Sequence, residues 1–360
     1  MRPVYYLGAF IPIALALEVA HASPVPVFAA AALGVIPTAA LMGDATEQVA
    51  ARTGPGIGGL LNVTFGNAPE LIIAFFALVE GLQEVVKASL VGSIIGNVLL
   101  VLGASMLVGG LPREKQTFSH TAANAQSAML LLALAALILP AVFELVHGGG
   151  LPAVGEERVS FGSEVEKLSF AVAIVLLASY AAGLVFSLKT HRQVFNPYES
   201  EGGEHEGGWS MQRALLLLAV AGLLVGVMSE ILVGSIEAAS KDIGLSQFFV
   251  GVFVVAIVGN AAEHWVAVLV AAKNKMDLAV NIAIGSSAQI ALFVMPLLVV
   301  FSFFLGPHPM GLVFNGFELA AIVLAVLIAI VVTHEGESTW FEGTVLLSTY
   351  VVVALAFGFA

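Results

Sequence analysis

A chain of 360 residues that is 59% hydrophobic and 11% charged, with a mean hydropathy of +1.01, carries far more apolar sequence than a soluble core needs. Its formal net charge of −12 excludes a nucleic-acid partner, because phosphate neutralisation needs clustered Lys and Arg, and makes cations the natural partners. The absence of cysteine removes disulfides and thiolate metal sites together, so a bound metal must be met by oxygen or histidine nitrogen.

The apolar runs, read against their polar and Gly/Pro punctuation, give eleven candidate spans: 4–21, 25–42, 56–80, 84–109, 121–147, 166–189, 211–237, 247–271, 277–304, 312–333 and 342–360. Runs of about 20 residues match a hydrocarbon thickness of about 30 Å, so the expected class is an all-α integral membrane protein embedded in a lipid bilayer. The first run is read as a leader span and not as a signal peptide. Glu18 and His21 close it, its basic start is Arg2 alone, and Ala20-His21-Ala22 is a poor cleavage site.

The third and eighth spans carry Gly66-Asn67-Ala68-Pro69-Glu70 and Gly259-Asn260-Ala261-Ala262-Glu263. A carboxylate at membrane depth points to function. On a helix, Asn67 and Glu70 share a face, as do Asn260 and Glu263, so each motif aims one amide oxygen and one carboxylate at the same point. Gly66 and Gly259 allow close approach of a neighbour, and Pro69, lacking an N–H, leaves the Phe65 carbonyl without its usual helical partner. The fourth and ninth spans carry Gly92-Ser93-Ile94-Ile95-Gly96-Asn97 and Gly285-Ser286-Ser287-Ala288-Gln289, whose small and polar residues either line the same cavity or pack helices. His264 points about 100° away from Glu263 around the helix, which fits a hydrogen-bonding or proton-handling role, or a satisfied structural partner, better than a shared ligand shell. Glu230, Glu237 and Glu318 read as interhelical partners or ion-path residues.

Asn67 and Asn260 are 193 positions apart (260 − 67), and Gly92 and Gly285 share that spacing (285 − 92). The spacing defines an internal repeat. With a leader helix at 1–22, a first five-helix repeat at 25–189, an acidic linker at 190–210 and a second five-helix repeat at 211–360, each repeat crosses an odd number of times and the second is inverted, an architecture of secondary transporters with sites at the midplane. Arg2, Arg52, Arg113, Lys115, Lys189, Arg192, Arg213, Lys273 and Lys275 fall on one side and Lys87, Arg158, Lys167 and Lys241 on the other. The positive-inside rule then places the N-terminus in the cytoplasm and, after eleven crossings, the C-terminus outside.

These residues resemble the calcium/proton exchanger family, the cation/proton branch of the calcium:cation antiporters, whose signature motifs read Gly-Asn-Ala-x-Glu. The resemblance runs through nearly the whole chain, including Gly-Asn-Ala-Ala-Glu-His at 259–264, Gly-Ser-Ser-Ala-Gln at 285–289 and Glu335-Gly336-Glu337-Ser338-Thr339-Trp340-Phe341-Glu342-Gly343. Relatives more often hold Asn and Leu where this chain has Thr339 and Phe341, away from the site. The resemblance implies that Glu70 and Glu263 are the essential carboxylates, with Asn67, Asn260 and the polar residues Ser93, Ser286, Ser287 and Gln289 nearby and His264 adjacent. Related sodium/calcium exchangers typically carry Gly-Thr-Ser in place of Gly-Asn-Ala, which disfavours sodium coupling.

Two facing carboxylates in a low-dielectric cavity cannot both stay ionised when empty, so Ca²⁺ or protons must neutralise them. The expected function is therefore export of Ca²⁺ in exchange for H⁺, with Ca²⁺ and H⁺ as transported ions, no cofactor, and Mn²⁺, Na⁺ or K⁺ as lesser substrates. A sodium- or potassium-coupled exchanger and a cation channel are the alternatives. No enzyme is expected, since the histidines fit no His-Glu-x-x-His spacing. Short tails without added domains point to a prokaryotic cell membrane.

Overall fold

The computed structural model describes residues 3–154, 156, 158, 161–190 and 208–359; most of the acidic linker, and with it Arg192, lies outside the described residues, as does Arg2. Eleven helices follow in chain order: α1 (Val4–Val19), α2 (Pro24–Gly66), α3 (Ala68–Val79), α4 (Gln83–Gly110), α5 (His120–Val146), α6 (Ser163–Thr190), α7 (Met211–Ile243), α8 (Gln247–Ala272), α9 (Met276–Ser302), α10 (Gly316–Thr333) and α11 (Trp340–Gly358). Among the described residues nine helices are long and apolar enough to cross a membrane, and α1 and α3 are shorter apolar helices.

Local chemistry sets the helix ends. Ser119, Ser210 and Ser246 accept backbone N–H groups at the starts of α5, α7 and α8. Asn315 with Glu318 and Thr339 with Glu342 form reciprocal capping boxes at α10 and α11. Gly244, at φ +73°, closes α7 in the left-handed conformation that glycine adopts without cost.

Where the sequence predicts two spans at 25–42 and 56–80, helical structure runs without interruption from Pro24 to Gly66. As a rod, that helix would be about 65 Å long, twice the hydrocarbon thickness. It is not a rod. A Cβ at Gly58 would overlap the Ala50 carbonyl oxygen, a group that a straight helix would hold about 12 Å away. The chain therefore bends back between Ala50 and Gly58, within the helical run Pro24–Gly66. The second limb reaches Gly66, breaks at Asn67 (φ −98°, ψ 20°) and resumes as α3.

Helices α4 and α9 are the most deeply buried of the spans and α6 and α11 the least, which sets the motif-bearing helices at the centre of the bundle. Every residue of α4 from Val85 to Leu99 is buried. Helices α4, α8 and α9 each contain π-helical turns, at Gly96–Val101, Val250–Val255, Asn281–Gly285 and Ile290–Val294, close to the polar motifs. Such widened turns concentrate at functional sites. A separate apolar cluster of Met42, Ala68, Ala221 and Val225 seats α2 and α7 against the first motif. One feature departs from an all-α reading: Gln116–Thr117 pairs antiparallel with Glu337–Ser338, tying the α4–α5 and α10–α11 loops together.

Candidate functional site

The two acidic motifs meet. A Cβ at Gly259 would lie 3.5 Å from Glu70 Cγ, and a Cβ at Gly66 would lie 3.5 Å from Glu263 Oε1, so the glycine of each motif forms a floor beneath the carboxylate of the other. The carboxylates are near enough to interact electrostatically. Glycine is not demanded here by a steric clash, since 3.5 Å is ordinary van der Waals contact. Its absent side chain leaves a polar oxygen uncovered.

The amides cross between halves as well. Asn67 donates from Nδ2 to Gln289 Oε1 at 2.6 Å, joining the break before α3 to α9. Asn260 donates from Nδ2 to Ser93 Oγ at 3.0 Å and to its own helix at Ala256 O at 2.8 Å, joining α8 to α4. Ser286 donates to Glu263 Oε2 at 2.8 Å. Asn67 Oδ1, Asn260 Oδ1 and Glu70 Oε2 are left buried without a hydrogen-bond partner among the described residues. Each orphaned oxygen costs about 1–3 kcal/mol, and an oxygen-seeking cation would offset that cost.

Six of the sequence-predicted residues, Glu70, Glu263, Asn67, Asn260, Ser93 and Ser286, are thus brought into this constellation, with Gln289 attached through Asn67. Ser287 differs: its hydroxyl donates to Ala283 O at 2.9 Å and Ile94 O at 3.4 Å, so it binds α9 to α4 backbone. His264 points away from Glu263 and pairs through Nε2 with Asn97 Oδ1 at 3.0 Å. The expected release of the Phe65 carbonyl by Pro69 is partly reversed, because the Asn67 N–H turns back onto it. Glu318 caps its own helix at Asn315 and also lies within electrostatic reach of Lys87 and Glu84 on α4, while Glu230 and Glu237 are exposed on α7.

Sequence reasoning named Asn97 only as part of a motif and missed Gln126 and Asn281. Asn97 ends the Gly92–Asn97 motif but has no counterpart at the 193-residue offset, where Ile290 stands. Gln126 on α5 donates through Nε2 to Asn281 Oδ1, one turn before Ser286. The available signal was a lone amide inside an apolar run, too common a feature to stand out.

A multihelical membrane protein with a buried Glu70 facing a part-buried Glu263, each flanked by a buried amide and one set from each half of the chain, has the layout of an ion transporter. The chain belongs to the sodium/calcium exchanger protein family, whose model matches residues 23–189 and 213–359. It is 45% identical to a Ca²⁺/H⁺ antiporter of Aphanothece halophytica, over 97% of this chain and 94% of the relative. It is 42% identical to the Ca²⁺/H⁺ antiporter ChaA of Bacillus subtilis, over 99% of each. Native YfkE, a solved structure 39% identical in sequence, superposes with a TM-score of 0.83 over 99% of this chain and all of that one. A solved H⁺/Ca²⁺ exchanger, CAX, shares the fold at a TM-score of 0.71 with 13% identity, over 98% of this chain and 91% of that one.

Proposed function

We propose that this protein exports Ca²⁺ from the cytoplasm in exchange for H⁺, both competing for one site held by Glu70 and Glu263. The observation that carries the reading is the reciprocal seating of each carboxylate on the opposite motif's glycine, beside three orphaned oxygens. Hard oxygen donors in a flexible cage suit Ca²⁺, which tolerates six to eight ligands in general; Mg²⁺ demands stricter geometry and holds its waters. Asn67 and Asn260 supply amide oxygens, Ser93 and Ser286 orient their partners, and Gln289 holds Asn67.

Exchange follows from charge. An empty pair of carboxylates in low dielectric must be neutralised before the halves of the protein can rock across the membrane, and either Ca²⁺ or protons do it. A site that moves only when neutralised exchanges and does not leak. The inverted repeats at 25–189 and 211–360 supply the two-sided frame, with the N-terminus cytoplasmic and the C-terminus outside. Mn²⁺ and monovalent cations are weaker substrates of the same cage. The names of the relatives support protons as the coupling ion.

The test is Ca²⁺ uptake into proteoliposomes with the potential clamped. An imposed pH gradient is expected to drive uptake and an equal Na⁺ gradient is not. Uptake that follows Na⁺ and ignores pH would overturn the coupling. A reporter fused after Ala360 is expected outside the cytoplasm and one inserted near Gly203 inside; both on one side would remove the leader span.

A further inference from the structure

Behind Ser286 the structure holds a polar device that has no counterpart at the positions 193 residues away. Gln126, buried on α5, donates through Nε2 to Asn281 Oδ1, at the start of the widened turn Asn281–Gly285. Both amides rest on Gly285: a Cβ there would lie 3.1 Å from Gln126 Nε2 and 3.2 Å from Asn281 Oδ1, tight enough to push them by a few tenths of an ångström. The next residue is Ser286, which donates to Glu263 Oε2 at 2.8 Å. A chain of contacts thus runs from α5 through α9 to the carboxylate on α8.

Shifting each residue by 193 positions gives Leu319 for Gln126, Ala88 for Asn281 and Gly92 for Gly285. Gly92 packs on the backbone of Val252, and Ala88 packs on Gly251. There the turn is fixed by helix backbones in direct contact. On the Glu263 side, side-chain amides take that place, and a part-buried amide pair holds a rotation more specifically than apolar contact because its hydrogen bonds are directional.

We propose that Gln126 and Asn281 are positioning residues for Glu263: seated on Gly285, they fix the turn of α9 that aims Ser286 at the Glu263 carboxylate, and so set how tightly the site grips its cation. The inference rests on Glu263 being a cation ligand, as read above. Neither amide touches the ion. Loosening them therefore weakens binding while leaving the machinery of exchange in place.

The experiment measures initial Ca²⁺ uptake against Ca²⁺ concentration, at fixed pH gradient, with the full chain in proteoliposomes. Gln126→Leu is expected to raise the apparent KM roughly five- to tenfold with Vmax within about twofold, the scale of one mis-set charged hydrogen bond. Gln126→Leu with Asn281→Ala is expected to match the single change, because both remove one device. Gly285→Ala keeps both amides and displaces them; a rise of about two- to threefold in KM is expected. Gln83→Leu is the structural control: that amide is equally buried but holds His308 O at 2.7 Å, away from the motifs, so it is expected to lower protein yield and leave KM alone. Gln126→Leu and Gly285→Ala behaving like Gln83→Leu, with KM unmoved, would overturn the inference. Should the wild type fail to take up Ca²⁺ under a pH gradient, the functional reading itself falls. A KM raised by Ser286→Ala and unmoved by Gln126→Leu would remove only the positioning role.

Discussion

The two halves of the site share a spacing but not a chemistry. On the first side the helix is broken at Asn67, Pro69 begins a new one, and Glu70 is buried with Oε2 unpartnered, against Gly259 and Ile73. On the second side the helix continues through Asn260 to Ala272, and Glu263 is part-buried and accepts a hydrogen bond from Ser286. The pairs His264 with Asn97 and Gln126 with Asn281 lie on this second side, where the shifted positions of the first hold Leu71, Ile290, Leu319 and Ala88. The two motifs share one spacing, and each carboxylate lies against the other motif's glycine. The environment then makes them unequal, as it does wherever like groups sit in unlike surroundings.

The comparison is broken most severely by removing either carboxylate. Glu70→Gln and Glu263→Gln are each expected to abolish exchange in folded protein, since the amide imitates a permanently protonated carboxyl and removes a negative ligand. Near-normal proton-driven uptake by either variant would contradict the shared site.

Next come the motif glycines Gly92, Gly66 and Gly259. Gly92→Ala drives a methyl into the Val252 backbone, which cannot yield, so no monodisperse protein is expected on size-exclusion chromatography. Gly66→Ala and Gly259→Ala meet only van der Waals contact and are expected to fold normally while weakening apparent Ca²⁺ affinity severalfold, because each methyl covers the opposing carboxylate. Thermal unfolding and uptake assays on the three variants separate packing from function.

The serines sharpen the comparison further. Ser286→Ala removes a hydrogen bond to a carboxylate, worth about 1.5–3 kcal/mol, so a roughly tenfold or greater loss of apparent Ca²⁺ affinity is expected. Ser93→Ala removes one of two acceptors of Asn260 Nδ2, and Ala256 O remains, so the loss is expected to be about threefold or less. Equal losses would mean that the halves are equivalent after all. The smallest effect is expected from Asn97→Ala, which deprives His264 Nε2 of its partner at 3.0 Å without touching either carboxylate. A drop of a few-fold in rate would fit, and complete loss would move His264 into the transport step.

The membrane class and the helix count were legible because some 20 apolar residues in a row admit few other readings. The meeting of Glu70 with Glu263 was legible from one repeated spacing. Partner choice was not. Nothing in the sequence says that Asn67 reaches Gln289, or that Ser287 turns its hydroxyl to backbone while Ser286 serves the carboxylate, since helix rotation decides between neighbouring residues. Gln126 stayed hidden for the same reason: the face α5 presents to α9 depends on packing that an all-round apolar helix does not encode. The sharp bend between Ala50 and Gly58 falls near the gap between the predicted spans 25–42 and 56–80, and the chain makes it with little loss of helical structure.

The central claim is that Ca²⁺ and protons occupy the same two carboxylates. Its most direct test is to add Ca²⁺ to the purified protein in weakly buffered solution and follow the pH while measuring bound Ca²⁺. Binding is expected to release protons, with apparent affinity falling as the starting pH is lowered, because each proton on Glu70 or Glu263 removes charge that Ca²⁺ needs. Ca²⁺ binding of unchanged affinity across that pH range, with no proton released, would contradict the account.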